Sequence, residues 1–421
     1  MKRILSIICI LSILTAAFTF SALAETNILQ TDVSQAGEGC VMVGIKGSYI
    51  ADAAAAVKRI NELRKEACDE GVKDPRDKSR KLTPDDYKPI SWSSDLEYIA
   101  RIRAAEASVI TGHTRPNGKD CFSLSSPNGV SGWGEVLAWN FSQNMLDGIE
   151  QWYEEKYDWI NNTGGVTGHY TQMIDPDNLY VGLGTFYSKY GAFPNCTSGE
   201  FSFEEKLDSS ESKPLKDCIQ TIEIQKSLLS SLKLNALNGI EELYPGSKIE
   251  LEPIYVVNSD FGSSAVTPLE SVDWSSSDSS TVSVSNGKVE CNKAGKAVIT
   301  ATLSSGDTAS VTLNIHKDQQ KITVKAKAQK LKSASLKKKT KKIKNAFTVK
   351  NAYGKITYTI VKNGTSKQLY SKVSISKNGV ISIRKGKYKK ATYKLKVRIT
   401  AAGNQSFSRA SKTVAVKIQV K

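Results

Sequence analysis

Two histidines and two glutamates in the first half of the chain supply the residue types of a polar site. His113 lies in TGHTRPNG, Glu135 in GWGE, Glu155 in WYEE and His169 in GHYTQM. Imidazole nitrogens and carboxylate oxygens bind divalent cations such as zinc or magnesium. The same groups serve as general acids and bases. Brought together, the four side chains would suit a divalent cation or a general acid–base pair, with His113 and His169 as candidate metal ligands and Glu135 and Glu155 as candidate catalytic carboxylates.

These four segments, in this order, resemble the motifs of the CAP superfamily of cysteine-rich secretory proteins, antigen 5 and pathogenesis-related proteins. The resemblance covers roughly residues 50–190. It implies an α-β-α sandwich whose central cleft is lined by a His-Glu-Glu-His tetrad, at His113, Glu135, Glu155 and His169. Glu155 is chosen over Glu154 because the family pattern places its acid three residues after the tryptophan, here Trp152.

The superfamily has no common reaction, so three functions stay open. The first is a cleft that binds a small ligand through a divalent cation. The second is a metal-assisted extracellular peptidase or esterase with Glu135 or Glu155 as general base. The third is an adhesin with a non-catalytic CAP domain. A GxSxG nucleophile motif is absent from the sequence, which disfavours a serine hydrolase of that type.

Helices and a buried strand must position these side chains. Apolar residues at helical spacing predict a helix over 53–67 that stops at Gly71. Ser93 or Ser94 is the expected N-cap of a second helix, and 148–157 forms a third. The glycine-broken apolar run 180–186 is typical of a buried central strand.

The first 24 residues predict a signal peptide and therefore secretion. Lys2 and Arg3 precede an apolar run over 4–20, and small residues follow at the cleavage positions. Removing Cys9 with this segment leaves six cysteines. Export permits disulfides, but the spacing does not select a pairing.

The charge of the chain is divided unevenly along its length. Residues 321–421 carry 29 of the 58 Lys and Arg and none of the 42 Asp and Glu, so the remainder is net acidic. A polycation of this density needs an anionic partner or a counterion cloud.

Changes in composition predict a multidomain chain. After the signal peptide we expect a CAP-like α+β domain (40–203), a linker (204–238), a bacterial immunoglobulin-like domain (239–316) and a basic β-rich domain (321–421), the last two being all-β sandwiches. The 239–316 segment resembles bacterial immunoglobulin-like domains of group 2, with Trp274 as a buried plug and Asn286-Gly287 as a hairpin turn. We expect it to act as a spacer.

Alternating lysines and apolar residues predict strands in the basic domain, and Asn378-Gly379 predicts a hairpin turn. One face of such a sheet packs while the other displays lysine. We expect anionic cell-wall or host polysaccharides as noncovalent partners; lysine predominates over arginine and export disfavours nucleic acid. A basic surface that serves solubility alone is the alternative. The candidate polyanion-binding residues are Lys337, Lys338, Lys339, Lys341, Lys342, Lys394, Lys396 and Arg398.

Overall fold

The computed structural model describes residues 27–204, 207–210, 213–237, 239–240, 242–259 and 261–421. The predicted signal peptide, residues 1–24, lies outside the described residues. The chain forms two compact units: one runs up to Leu229 and includes Val257–Val266, and the other comprises Ser230–Val256 and Thr267–Lys421.

The first unit packs helices on both faces of one sheet. Its strands are β1 (Asn27–Leu29), β2 (Cys40–Ile50), β3 (Ser91–Trp92), β4 (Gly134–Asn140), β5 (Tyr180–Ser188), β6 (Asn195–Ser202) and β7 (Leu215–Gln225). Its helices are α1 (Ala53–Glu70), α2 (Ser94–Ala107), α3 (Leu146–Glu154), α4 (Lys156–Asn161) and α5 (Gly168–Ile174). The strands lie in the order β1-β7-β2-β5-β6-β4, and β3 pairs with β5.

Alternation along β4 explains why the sheet has two covered faces. Val136 and Ala138 pack in the apolar cluster that also holds residues of α1, α3 and α5. Leu137, between them, packs with Ala107 at the end of α2. Because successive strand side chains point to opposite faces, the helices lie in two layers with the sheet between them.

The helix ends largely follow the predicted signals. Gly71 ends α1 in the left-handed conformation, with φ of 65°. The Ser93 hydroxyl accepts the Leu96 N–H at the start of α2. The third predicted helix, 148–157, is divided in two at Glu155, between α3 and α4. The division leaves Glu155 between the two helices, and its carboxylate accepts backbone N–H groups at the start of α5.

Two glycines of β5 allow α2 to lie directly on the sheet. A Cβ at Gly182 would lie 2.0 Å from the Glu97 nitrogen, and one at Gly184 would lie 2.4 Å from the Ala100 carbonyl carbon. Any side chain there would push the helix away. The glycines that break the apolar run are therefore contacts between strand and helix, and β5 is the buried strand that the sequence predicted.

The segment predicted as a linker, 204–238, is partly a structural element of the first unit. Leu215–Gln225 form β7, which pairs antiparallel with β2 from Cys40 to Tyr49. Ile222 and Ile224 are fully buried. A connecting segment therefore does not describe residues 215–225. Lys216 and Asp217 are exposed at the start of the strand, whereas Gln220, Thr221 and Glu223 are buried polar residues within it.

The second unit begins with strands that form two sheets. They are β8 (Lys233–Ala236), β9 (Lys248–Ser259), β10 (Gly262–Pro268), β11 (Val272–Ser276), β12 (Val282–Ser285), β13 (Lys288–Cys291), β14 (Gly295–Leu303) and β15 (Thr308–Ile315), with β9 and β10 contributing residues to both units. One sheet has the order β8-β9-β13-β12 and the other β11-β14-β15. Asn286 and Gly287, with φ of 48° and 75°, form the predicted turn between β12 and β13. Trp274, predicted as a buried plug, is only partly buried, because it lies on β11 and packs against the apolar cluster from its margin.

The basic region, 321–421, is also built mainly of strands around one apolar cluster. Its elements are β16 (Thr323–Ala326), β17 (Gln329–Leu331), α6 (Ser333–Lys338), β18 (Lys341–Ile343), β19 (Phe347–Lys350), β20 (Ile356–Ile360), α7 (Lys367–Tyr370), β21 (Val373–Ile375), β22 (Ile381–Ile383), β23 (Ala391–Ala401) and β24 (Ala410–Val420). The sheets have the orders β17-β24-β23-β20, β18-β22-β21 and β16-β19. The hairpin around Gly379 joins β21 to β22, and Gly379 has φ of 75°. Tyr393, Leu395, Val397 and Ile399 are buried along β23, as the alternation predicts.

Among the described residues, no helix is both long enough and apolar enough to cross a membrane. The six cysteines from Cys40 to Cys291 are free thiols in this part of the chain.

Candidate functional site

The structure brings the four predicted residues together as two histidine–glutamate pairs. His113 Nδ1 lies 2.7 Å from Glu135 Oε1. His169 Nδ1 lies 2.5 Å from Glu155 Oε1. The two imidazole rings are stacked, with centroids 6.4 Å apart and planes inclined by 28°. Residues separated by up to 56 positions in the sequence thus form one cluster.

Two motif contacts explain how the GHYTQM segment is held in this cluster. Glu155 Oε2 accepts the backbone N–H groups of His169, at 2.9 Å, and Tyr170, at 3.2 Å, at the start of α5. Gln172, one turn along, lies where a Cβ of Gly134 would be. The glycine of GWGE therefore makes room for the glutamine of GHYTQM, and Glu155 satisfies donors that the first turn of a helix leaves free.

A chain of buried ion pairs fixes Glu135 from behind. Arg103 Nε donates to Glu135 Oε2 at 2.5 Å, and the same guanidinium donates to Glu106 at 2.7 Å. Arg115, from the HTRPNG segment, binds Glu106 and Asp32 in turn. Both arginine side chains are fully buried. The network positions the Glu135 carboxylate in one orientation.

The charges of this network set the ionisation of Glu135. Burial raises the pKa of its carboxyl, but the His113 hydrogen bond and the Arg103 charge outweigh burial and hold the pKa below its ordinary value. Glu135 is therefore a carboxylate at neutral pH. It acts as an acceptor for His113 and Arg103.

The imidazoles lie closer to solvent than the carboxylates that hold them. The His113 side chain is 55% exposed and that of Glu135 is 1% exposed. The corresponding values are 22% for His169 and 14% for Glu155. When Nδ1–H is donated to the carboxylate, Nε2 keeps its lone pair. A carboxylate behind such an imidazole orients the ring and increases its basicity toward a metal ion or a ligand.

Glu200 is a site residue that sequence reasoning missed. It lies on β6 directly opposite Glu135 on β4, and it is 1% exposed. Burial and the neighbouring Glu135 raise the pKa of Glu200 well above its ordinary value, so this carboxyl keeps its proton. Its role became evident only in the structure, where every residue of the strand NCTSGEFS is buried.

Cys121 completes a second donor set around His113. Atoms of His113, Cys121 and Glu135 that can bind a metal all lie within 4.8 Å of one another. Nitrogen, sulfur and carboxylate oxygen are the donors that zinc prefers, whereas magnesium requires an octahedron of oxygens. Burial and the carboxyls of Glu135 and Glu200 raise the pKa of Cys121 to about 12, so its sulfur binds a metal only on losing that proton.

The donor chemistry therefore fits zinc better than magnesium. His113 belongs to the three-donor group, whereas among the described residues His169 does not. The predicted ligand pair, His113 and His169, lies in one cluster, and Cys121 and Glu135 are the additional donors at its His113 side. A bound zinc ion would supply Lewis-acid chemistry or hold an anionic ligand.

Comparison with known families gives one match. Residues 57–201 match the family model described as CAP, the cysteine-rich secretory protein family. The chain has an N-terminal CAP domain. All four predicted cleft residues lie within the matched range. The C-terminal part of the chain, from residue 267 on, is built mainly of strands. No curated protein matches the chain in sequence.

Solved structures similar to the chain include three cadherin fragments. Domains 3–6 of protocadherin gamma B2 are 12% identical over 54% of this chain and 60% of that one, with a TM-score of 0.23. Human protocadherin-24 EC1-2 is 14% identical over 46% and 99% of the two chains, also at 0.23. Mouse cadherin-23 EC22-24 is 10% identical over 54% and 80%, at 0.22. These TM-scores are too low to indicate a shared fold.

The predicted polyanion-binding residues fall in two places in the basic region. Lys337 and Lys338 belong to α6, Lys339 follows it, and Lys341 and Lys342 belong to β18. Lys394, Lys396 and Arg398 lie on β23. All are exposed except Lys396, which is half-buried.

Proposed function

We propose that this is a secreted or cell-surface CAP-domain protein whose His/Glu cleft binds a small ligand through a divalent cation, with zinc the best fit. The observation that carries the proposal is the pair of stacked imidazoles, each held at Nδ1 by a carboxylate. This arrangement presents two oriented imidazoles beside a partly open surface. CAP proteins are commonly secreted, which agrees with the predicted signal peptide.

The contacts of the two glutamates favour binding over their use as general bases. Glu135 accepts from Arg103 and His113, and its pKa is lowered. Glu155 accepts from two backbone N–H groups and from His169. A general base needs an accessible lone pair and a pKa near the working pH. The metal-assisted hydrolase therefore stays the second candidate, with an imidazole rather than a glutamate as its base.

We also propose that the C-terminal region displays and attaches the CAP domain. The two sheets of the 239–316 segment, with a shared apolar cluster and the Asn286-Gly287 hairpin, support an immunoglobulin-like spacer. The unpaired lysines of 321–421 support noncovalent attachment to anionic wall or host polysaccharides. If the protein is purely an adhesin, deleting residues 40–203 should leave its surface attachment and its biological effect unchanged.

Zinc titration of the mature protein tests the cleft. We expect His113→Ala and His169→Ala each to weaken zinc binding at least tenfold, because each removes an oriented nitrogen. Cys121→Ser separates the two donor sets: a loss as large as that of His113→Ala places the ion on the cysteine side. Calorimetry and metal analysis after dialysis are the measurements.

His316→Ala is the matched control, since His316 belongs to the other unit and contacts Tyr244. It should bind zinc like the wild type. If the wild type binds no divalent cation, or if all three histidine variants lose the same affinity, the proposal fails. Turnover of a peptide or ester panel that is abolished by His113→Ala would establish the hydrolase instead.

A further inference from the structure

Four lysines from three separate segments surround one cavity of the basic region. The cavity has a volume of about 560 Å³. Lys337 comes from α6, Lys372 follows α7, and Lys387 and Lys389 lie in the loop before β23. Their positions span 52 residues, so the sequence does not reveal the cluster. Ser333, Ser371 and Gln368 add hydroxyl and amide groups to the same wall.

The backbone that carries these lysines is anchored in the apolar core. Leu336 in α6 and Leu369 in α7 are each 1% exposed. The Gly386 N–H donates to the Leu336 carbonyl at 2.9 Å, which joins the loop to α6. Tyr388 and Tyr393 form the floor, with rings 6.3 Å apart. A cavity whose walls are fixed in this way needs little ordering when a ligand enters.

The ammonium groups have no anionic partner in their own region. Residues 321–421 contain no Asp or Glu, so no side-chain carboxylate of that region can pair with them. Lys372 Nζ instead lies 5.2 Å from the centroid of the Tyr388 ring. Like charges that converge on a concave surface raise the local potential, and an anion that enters the cavity lowers it.

The polar groups of the cavity indicate what kind of anion fits. Both tyrosines are buried, and their hydroxyls already donate, that of Tyr388 to the Arg384 carbonyl and that of Tyr393 to the Lys389 carbonyl. Neither offers a free ring face of the kind on which nucleic-acid bases stack. Ammonium, hydroxyl and amide groups match charged oxygens and sugar hydroxyls. The volume lies in the range of pockets for compact organic ligands.

We propose that this cavity, the lysine pocket (Lys337, Lys372, Lys387 and Lys389), is a specific site for an anionic glycan whose sugars bear phosphate, sulfate or carboxylate groups. The proposal rests on the polyanion attachment proposed above and deepens it, because it assigns recognition to one pocket rather than to the net charge. Phosphate, sulfate and carboxylate share the same recognition chemistry here.

Two triple variants with equal loss of charge test the pocket. The first is Lys337→Gln/Lys387→Gln/Lys389→Gln. The second, on the exposed strand surface, is Lys394→Gln/Arg398→Gln/Lys417→Gln, where Lys394 and Lys417 are cross-strand neighbours. The full-length proteins are titrated with dextran phosphate, dextran sulfate and polygalacturonate at fixed ionic strength, with neutral dextran and an oligothymidylate for comparison.

We expect the pocket triple to lose at least tenfold in affinity for one or more of the anionic glycans and the strand triple to lose no more than about threefold. The glycan most affected identifies the anionic group. Unchanged thermal midpoints verify that both variants are folded.

Equal losses in the two triples would overturn the pocket and leave attachment by net charge intact. If the wild type binds none of the three polymers, attachment fails together with the pocket. Tighter binding of the oligothymidylate than of any glycan, lost in the pocket triple, would overturn the glycan and assign the site to nucleic acid.

Discussion

Charged side chains do different work in the CAP domain and in the basic region. Behind the His/Glu cleft of the CAP domain they are buried and paired: Arg103 joins Glu135 to Glu106, and Arg115 joins Glu106 to Asp32. In the basic region 29 Lys and Arg have no Asp or Glu among them. The first arrangement satisfies its charges internally, whereas the second leaves them for solvent ions and partners.

Buried and exposed charges therefore control different properties of the protein. A buried, paired guanidinium orients the groups that it binds, so it determines the geometry of the His/Glu cleft. An exposed ammonium contributes little to stability but attracts anions over about 10 Å at 0.1 M salt. We therefore expect one set of mutations to alter the geometry of the His/Glu cleft and a different set to alter the attraction of anions to the basic region.

The largest expected effect is that of Arg103→Met. The substitution leaves Glu135 and Glu106 without their shared buried cation, which should lower the free energy of unfolding by about 3–5 kcal/mol. Denaturant unfolding measures the loss. Arg59→Met, which breaks the half-exposed pair with Glu150 at 2.6 Å, is the control and should cost no more than about 1 kcal/mol. Equal losses in the free energy of unfolding for the two variants would contradict the distinction between buried and exposed charges.

A second test compares Glu135 and Glu200, two carboxyls whose pKa values are shifted in opposite directions. The pKa of Glu135 is lowered from an ordinary 4.5, so the stability it contributes is present above that pH and is lost as the pH falls through the folded value. The pKa of Glu200 is raised above 4.5, so the folded state holds a proton that the unfolded chain releases, and stability decreases as the pH rises above that value.

Glu135→Gln should therefore lower the thermal midpoint at pH 7 and lower it less at pH 3. Glu200→Gln, which resembles the protonated acid, should raise the midpoint at pH 8 and change it less at pH 4. Calorimetry across this range measures both. The same sign of shift for the two variants at neutral pH would contradict the assignment of their charges.

The smallest expected effect on stability is that of the strand triple, Lys394→Gln/Arg398→Gln/Lys417→Gln. Because these side chains are exposed and lack acidic partners, the free energy of unfolding should stay within about 0.5 kcal/mol of the wild type. Retention of the wild type on an anionic wall preparation should nevertheless fall steeply with added salt. If retention of the wild type does not depend on ionic strength, binding relies on shape complementarity rather than on charge attraction.

The sequence predicted elements best where local chemistry decides them. Gly71 and Ser93 end and begin helices because a left-handed C-cap and a hydroxyl N-cap are local requirements. Asn286-Gly287 forms its hairpin for the same reason. The linker prediction did not hold for 215–225, because a strand in a covered sheet needs only a few buried apolar residues and its partner β2 lies about 170 residues away.

By itself the sequence determined that two histidines and two glutamates stand in CAP-like motifs, that the charge is segregated, and which segments alternate as strands. These follow from residue type and short spacing. The tertiary structure alone decided that Glu200 lies opposite Glu135, that Cys121 joins His113, and that lysines from three segments surround one cavity. Such contacts depend on strand register and on the packing of distant segments, and no local pattern encodes either.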